Sequence, residues 1–140
     1  MQLMKKFMIS KEASLILNIL KINKINYKLE YTFPDLKGRR GVPFRYDFAI
    51  FNKQNQLKAL IEYDSKLHFD KNNNLVKNYK HYRENDLKKN RYAITHNIPL
   101  YRISYWDLKE IKTLQDIFKE KYLVKSLWHN YQIAAEHGML

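Results

Sequence analysis

Apolar residues at Leu15, Ile16, Ile19, Leu20 and Ile22 form the stripe of an amphipathic helix over residues 11–24, with Ser10 placed to cap it and Asn26 ending it. Residues 27–33 then read as a strand with partial alternation. The stretch 34–43 holds Pro34, Gly38, Gly41 and Pro43 together with Lys37, Arg39 and Arg40, and reads as a basic loop. Two apolar runs, 45–52 and 57–64, are joined by the polar turn Asn52-Lys53-Gln54-Asn55-Gln56, which predicts a hairpin. Residues 70–78 are polar and read as a loop. Tyr79, Tyr82, Leu87 and Ala93/Ile94 give helical spacing over 79–96, closed by Asn97 before Pro99, and 100–104 is a short strand. From Asp107 onward two further helical pieces follow, the second opened by Thr113 and Asp116 in a capping-box arrangement. The predicted order is α-β-β-β-α-β and then helices, an α/β fold with a mixed sheet.

The 140 residues are expected to form a single domain, with a core over about 10–105 and a helical extension over about 106–140. A hydrophobic content of 45% with 14% aromatics excludes a disordered chain despite the charge. Cysteine is absent, which excludes disulfides, thiolate metal sites and cysteine nucleophiles. The first residues lack an apolar core of signal-peptide length, and no stretch has the roughly 18 apolar residues of a membrane span. A soluble, intracellular (cytoplasmic) protein is expected. The formal charge of +12 points to nucleic acid or another polyanion as partner.

Against this pattern two acids stand out. Asp47 and Glu62, fifteen residues apart, lie inside apolar runs that otherwise read as buried strands. A carboxylate there costs several kcal/mol unless it is paired, hydrogen-bonded or bound to a metal. Arg45, on the same face by alternation, is one available partner for Asp47. Alternation also puts Asp64 on the face of Glu62, with His68 just beyond the strand. Hard divalent cations held by carboxylates neutralise phosphate and activate water, so Asp47, Glu62 and Asp64 are candidate metal ligands. His68 is a candidate for proton transfer, with Asp86 holding its ring. Lys89, one turn after Asp86, faces either the scissile phosphate or Asp86 itself. Glu12 opens the first helix, where the dipole favours an acid. His81, His96, His129 and His137 show no ligand spacing, and Trp128 and Tyr131 read as core aromatics rather than a dimer face.

Taken in order, Arg45-Tyr46-Asp47-Phe48-Ala49-Ile50, Leu60-Ile61-Glu62-Tyr63-Asp64, His68-Phe69, Asn85-Asp86-Leu87-Lys88-Lys89-Asn90 and Leu100-Tyr101-Arg102-Ile103 resemble the PD-(D/E)xK nucleases. Within that superfamily the chain is most similar to the branch of very-short-patch repair endonucleases and free-standing, phage-type homing endonucleases. The resemblance spans roughly residues 12–105. It implies a restriction-endonuclease-like α-β-β-β-α-β core and an Mg2+-dependent endodeoxyribonuclease, Mn2+ serving as a substitute, with homing or nicking activity on double-stranded or branched DNA and a possible homodimer. Carried over by position, Glu12 is the helix glutamate, Asp47 the metal-binding aspartate, Glu62 the variable position, His68 the catalytic histidine and Asp86 its partner. The motif lysine two residues after Glu62 is replaced by Asp64, so Lys89 or His68 must take over its role. Ser65 stands where many relatives have glycine, and Glu30 competes with Glu12. Lys37, Arg39, Arg40, Arg45, Lys88 and Arg91 are the expected contacts to the DNA backbone. The alternatives are a non-catalytic nucleic-acid-binding protein and an RNase on the same scaffold.

Overall fold

In the computed structural model the described residues are 9–69 and 76–139, with the backbone alone over 76–82. Helix α1 (Ala13–Ile22) is followed by strands β1 (Asn26–Tyr31), β2 (Tyr46–Phe51) and β3 (Leu57–Asp64), then helix α2 (Val76–Thr95), strand β4 (Leu100–Ser104) and the short helices α3 (Leu114–Ile117) and α4 (His129–Glu136). The fold is α/β, and the element order is the one the hydrophobic pattern predicts. Ser10 Oγ accepts from the Ala13 amide at the start of α1, and Thr113 and Asp116 form the predicted capping box on α3.

The four strands form one mixed sheet in the order β1-β2-β3-β4. β1 and β3 flank β2 antiparallel, while β4 joins β3 in parallel after the crossover through α2. Ile16 and Leu20 of α1 pack with Phe48, Ile61 and Ile103 on one face of the sheet. Ala93 of α2 packs with Ala49, Leu60, Leu100 and Tyr46 on the other. Coverage on both faces explains why β2 and β3 read as nearly continuous apolar runs rather than alternating ones. It also removes Glu62 and Asp64 on β3 and Arg102 on β4 from water.

Tyr46 ties the second layer to the sheet: its hydroxyl donates to the Lys89 carbonyl at 2.8 Å from a fully buried side chain. Tyr46→Phe keeps the ring and removes this bond, so it is expected to lower stability by about 1 kcal/mol, read as a shift in the urea midpoint at constant slope.

Three boundaries differ from the sequence expectation. β1 ends at Tyr31, and Phe33 instead meets the rings of Tyr31, Tyr46 and Tyr92. Residues 76–78, polar enough to read as loop, form the first turn of α2, while 70–75 lie outside the described residues. The segment after β4 is broken into a 3-10 turn at Tyr105–Glu110 and the four-residue α3 before α4 is reached. Among the described residues no helix is long and apolar enough to cross a membrane.

Candidate active site

The central strands separate at the two acids. β2 and β3 are paired from Phe51↔Leu57 as far as Phe48↔Ile61. Beyond that point β3 continues alongside β4, with Glu62 opposite Arg102. At the divergence side chains take over the backbone bonds. The Asp47 amide donates to Glu62 Oε1 and the Tyr63 amide donates to Asp47 Oδ2, both at 2.7 Å. Each acid therefore satisfies an N–H on the other's strand, and this is why a carboxylate is tolerated at either position. Burial, and then the adjacent Glu62 carboxylate, push the Asp47 carboxyl up to about 8. Arg45, expected as a partner for Asp47, pairs instead with Glu30 at 3.5 Å.

Lys89 reaches this pair from α2. Its ammonium lies 3.1 Å from Glu62 Oε2, so the tertiary partner displaces Asp86, the partner that helical spacing offers. Glu62 is buried, with one oxygen on the Asp47 amide and the other on Lys89.

A second group lies deeper along the same face. Arg102 on β4 is fully buried. Its Nη1 lies 2.6 Å from Asp64 Oδ1, its Nη2 3.4 Å from Asp86 Oδ1, and its Nε donates to Asn90 Oδ1 at 2.8 Å. Glu62 Oε2 is 4.0 Å from Nη1. His68 Nδ1 lies 2.9 Å from Asp86 Oδ2 and 3.7 Å from Asp64 Oδ1. Burial works to lower the imidazole pKa, but Asp64 and then Asp86 outweigh it and hold His68 at about 9. Burial would likewise raise Asp86, yet Arg102 and His68 keep it below the usual carboxylate range, whereas burial prevails at Asp64 and raises it. Asp64, His68 and Asp86 each offer a ligand atom within 4.8 Å of the others and could hold a metal ion.

Asp47 also lines an open cleft with Ile9, Ser10, Ala13, Glu30, Phe48, Tyr63 and Ser65. Its cavity volume of about 360 Å3 lies at the lower end of the range of ligand sites, ~300–1,000 Å3. Glu30 has the left-handed backbone angle φ 49°, unusual for a residue within a strand. Glu12 is exposed at the start of α1 and is not among the cleft-lining residues, so Glu30 is the acid that shares the cleft with Asp47. Ser65 has φ −69°, so no glycine is required there.

The expected phosphate contacts Lys37, Arg39, Arg40, Arg45, Lys88 and Arg91 are all exposed. The basic loop is tied to α2 by Arg39–Glu84 at 3.4 Å and by Lys88 over the Phe44 ring, so loop and helix present one basic surface. Trp128 is not a core residue but is 51% exposed, whereas Tyr131 is half-buried under the Arg83 guanidinium.

The sequence acids thus gather in two linked groups, Asp47–Glu62–Lys89 and Asp64–His68–Asp86, while Glu12 joins neither through a hydrogen bond or ion pair among the described residues. Three further members were given no role by the sequence reading: Arg102 and Asn90, which stand within the motif stretches, and Asn130. Arg102 carries the same signal as Asp47, a charge inside an apolar strand. Asn90 and Asn130 lie on helices, where a polar residue reads as solvated. Comparison with protein-family models, curated proteins and solved structures found no match to this chain.

Proposed function

We propose that this protein is a divalent-metal-dependent endodeoxyribonuclease of PD-(D/E)xK type with a restriction-endonuclease-like core. The observation that carries the reading is Lys89 Nζ at 3.1 Å from Glu62 Oε2, with Glu62 itself bound to the Asp47 amide. The two acids and the lysine of the superfamily motif are then assembled together, the lysine delivered by α2 instead of by the strand.

The residues at the cleft fit a hard cation. Asp47 is an oxygen donor bordering the cleft, and its raised pKa marks a place where an anion lacks sufficient positive charge. Asp47 would hold the ion, with Glu30 in the same cleft as the second acid. Glu62 and Asp64 bear on Lys89 and Arg102 instead, which makes them supports rather than first ligands. Mg2+, or Mn2+ in its place, supplies phosphate charge neutralisation and an activated water when bound.

The Asp64–His68–Asp86 group suits a different task. Arg102 compensates its carboxylates, and Asp86 holds the His68 ring at Nδ1, which leaves an imidazole oriented to carry and deliver a proton. We assign it proton donation to the oxygen that leaves when the phosphodiester bond breaks. Lys89 is the cation closest to the two acids and stabilises charge on the phosphate. The exposed basic loop and α2 grip the DNA backbone, which makes binding strongly salt-dependent.

The test is incubation of supercoiled plasmid with folded protein and Mg2+. Wild type is expected to nick or linearise it, and His68→Ala to reduce the rate by roughly 10²- to 10⁴-fold, the range for loss of a general acid. Absence of cleavage of both duplex and branched DNA by the wild type overturns the reading. Cleavage confined to RNA reassigns the site to an RNase.

A further inference from the structure

We propose that Asn130 of α4 is a positioning residue for the His68–Asp86 pair, which makes the C-terminal helix a structural part of the site. Asn130 Nδ2 lies 3.2 Å from Asp64 Oδ2 and 3.4 Å from Asp86 Oδ2. Its Oδ1 accepts from Asn90 Nδ2 at 3.0 Å, and the same Asn90 nitrogen donates to the Leu127 carbonyl at 3.1 Å, just before α4 begins. Asn90 Oδ1 in turn accepts from Arg102 Nε.

This chain has one consistent set of orientations. Asp86, kept ionised by Arg102 and His68, only accepts, so the end of Asn130 that meets it must be its NH2 group. Its oxygen is then left to face the Asn90 NH2, as found. Asp86, held ionised by Arg102 and His68, must accept at Oδ2 from both Asn130 and His68. His68 Nδ1 therefore carries a proton, and the plane of the Asp86 carboxylate is set from two sides, one of them α4. Arg83, stacked 3.5 Å over the Tyr131 ring, fastens the same helix to α2 close to Asp86.

The network stands on hydrogen-bond geometry and the charge of Asp86; that the positioned pair does chemistry rests on the nuclease reading, so the decisive readout is spectroscopic. In proton NMR of the full chain, wild type is expected to show a downfield His68 Nδ1–H resonance, assigned by its loss in His68→Gln. In Asn130→Ala, solvent exchange of that proton is expected to quicken by roughly tenfold, the scale of one lost hydrogen bond. In Asn130→Asp, a third carboxylate facing two others is expected to disturb it at least as much. Gln132→Ala, at an exposed position of α4, is expected to leave it unchanged. A wild type without the resonance, or a folded Asn130→Ala with unaltered exchange, overturns the proposal. Loss of folding in both Asn130 variants also overturns it, by making the residue a structural one only. A resonance that depends on Asn130 supports it whether or not DNA is cut, which separates its failure from that of the nuclease reading.

Discussion

Asp47→Asn is expected to abolish metal-dependent cleavage and to make the protein more stable. The amide oxygen of asparagine can still accept from the Tyr63 N–H, so the divergence of the strands is kept. What disappears is the anionic oxygen donor at the cleft. Removing several kcal/mol of charge stabilisation from the transition state corresponds to about three orders of magnitude in rate. The stability change has the opposite direction and a defined pH dependence. An aspartate raised from 3.8 to about 8 favours the folded state fully only below the unfolded pKa, and that contribution is lost as pH climbs toward 8. Asparagine does not titrate, so the variant should draw ahead of the wild type between pH 4 and 8. Because Asp47 is half-buried, the gap should be of the order of 1 kcal/mol after screening. Urea midpoints at pH 4, 6 and 8, beside plasmid assays, measure both effects. Full activity in the variant, or a gap that stays flat with pH, would refute this account of Asp47.

Arg102→Met should carry the largest stability loss in the molecule. The side chain approximates the length of arginine and fills much of its space, so the effect is chiefly electrostatic. Without the guanidinium, Asp64 and Asp86 remain buried with His68 and Asn130 as their nearest polar partners, and Glu62 keeps only Lys89. Breaking a buried pair from one side costs about 3–5 kcal/mol, against a total stability of ~5–15 kcal/mol for a domain. The variant is expected to populate unfolded chains at neutral pH and to recover part of the loss as pH falls. Protonation of the stranded carboxylates then removes the repulsion, their folded pKa values having risen above the unfolded ones. A loss that is independent of pH would instead indicate a packing defect.

Much of this site was legible because burial makes charge conspicuous. Asp47 and Glu62 interrupt runs that a two-sided sheet core produces, whereas their approach across the hairpin depends on a register that the sequence leaves open. The partner of Lys89 was not legible. Spacing along one helix offered Asp86 or a phosphate alike, but a strand crossing beneath α2 brought Glu62 closer, and no local pattern encodes that crossing. Arg102 stood in plain view between Tyr101 and Ile103, and its role emerged only when parallel pairing set it opposite Glu62. Asn90 and Asn130 could not be identified, since an asparagine on an amphipathic helix has the same sequence signature whether it meets water or another amide. Trp128 shows the reverse error: aromatic spacing suggested core, yet α4 ends the packed region and leaves the ring largely in solvent.

The exchange of carboxylates for carbonyls where β2 and β3 part has one more consequence. Within the paired parts of the sheet an amide is held by a neutral carbonyl, whose strength is constant with pH and ion concentration. At Asp47 and Tyr63 the acceptor is an acid, and its grip tightens or slackens with its own charge. The amide hydrogen of Tyr63, held by the Asp47 carboxyl that lines the cleft, is therefore a built-in reporter: its exchange with solvent follows the electrical state of the cleft, while that of adjoining amides follows the breathing of the sheet. Here the scaffold and the chemistry share the same two bonds.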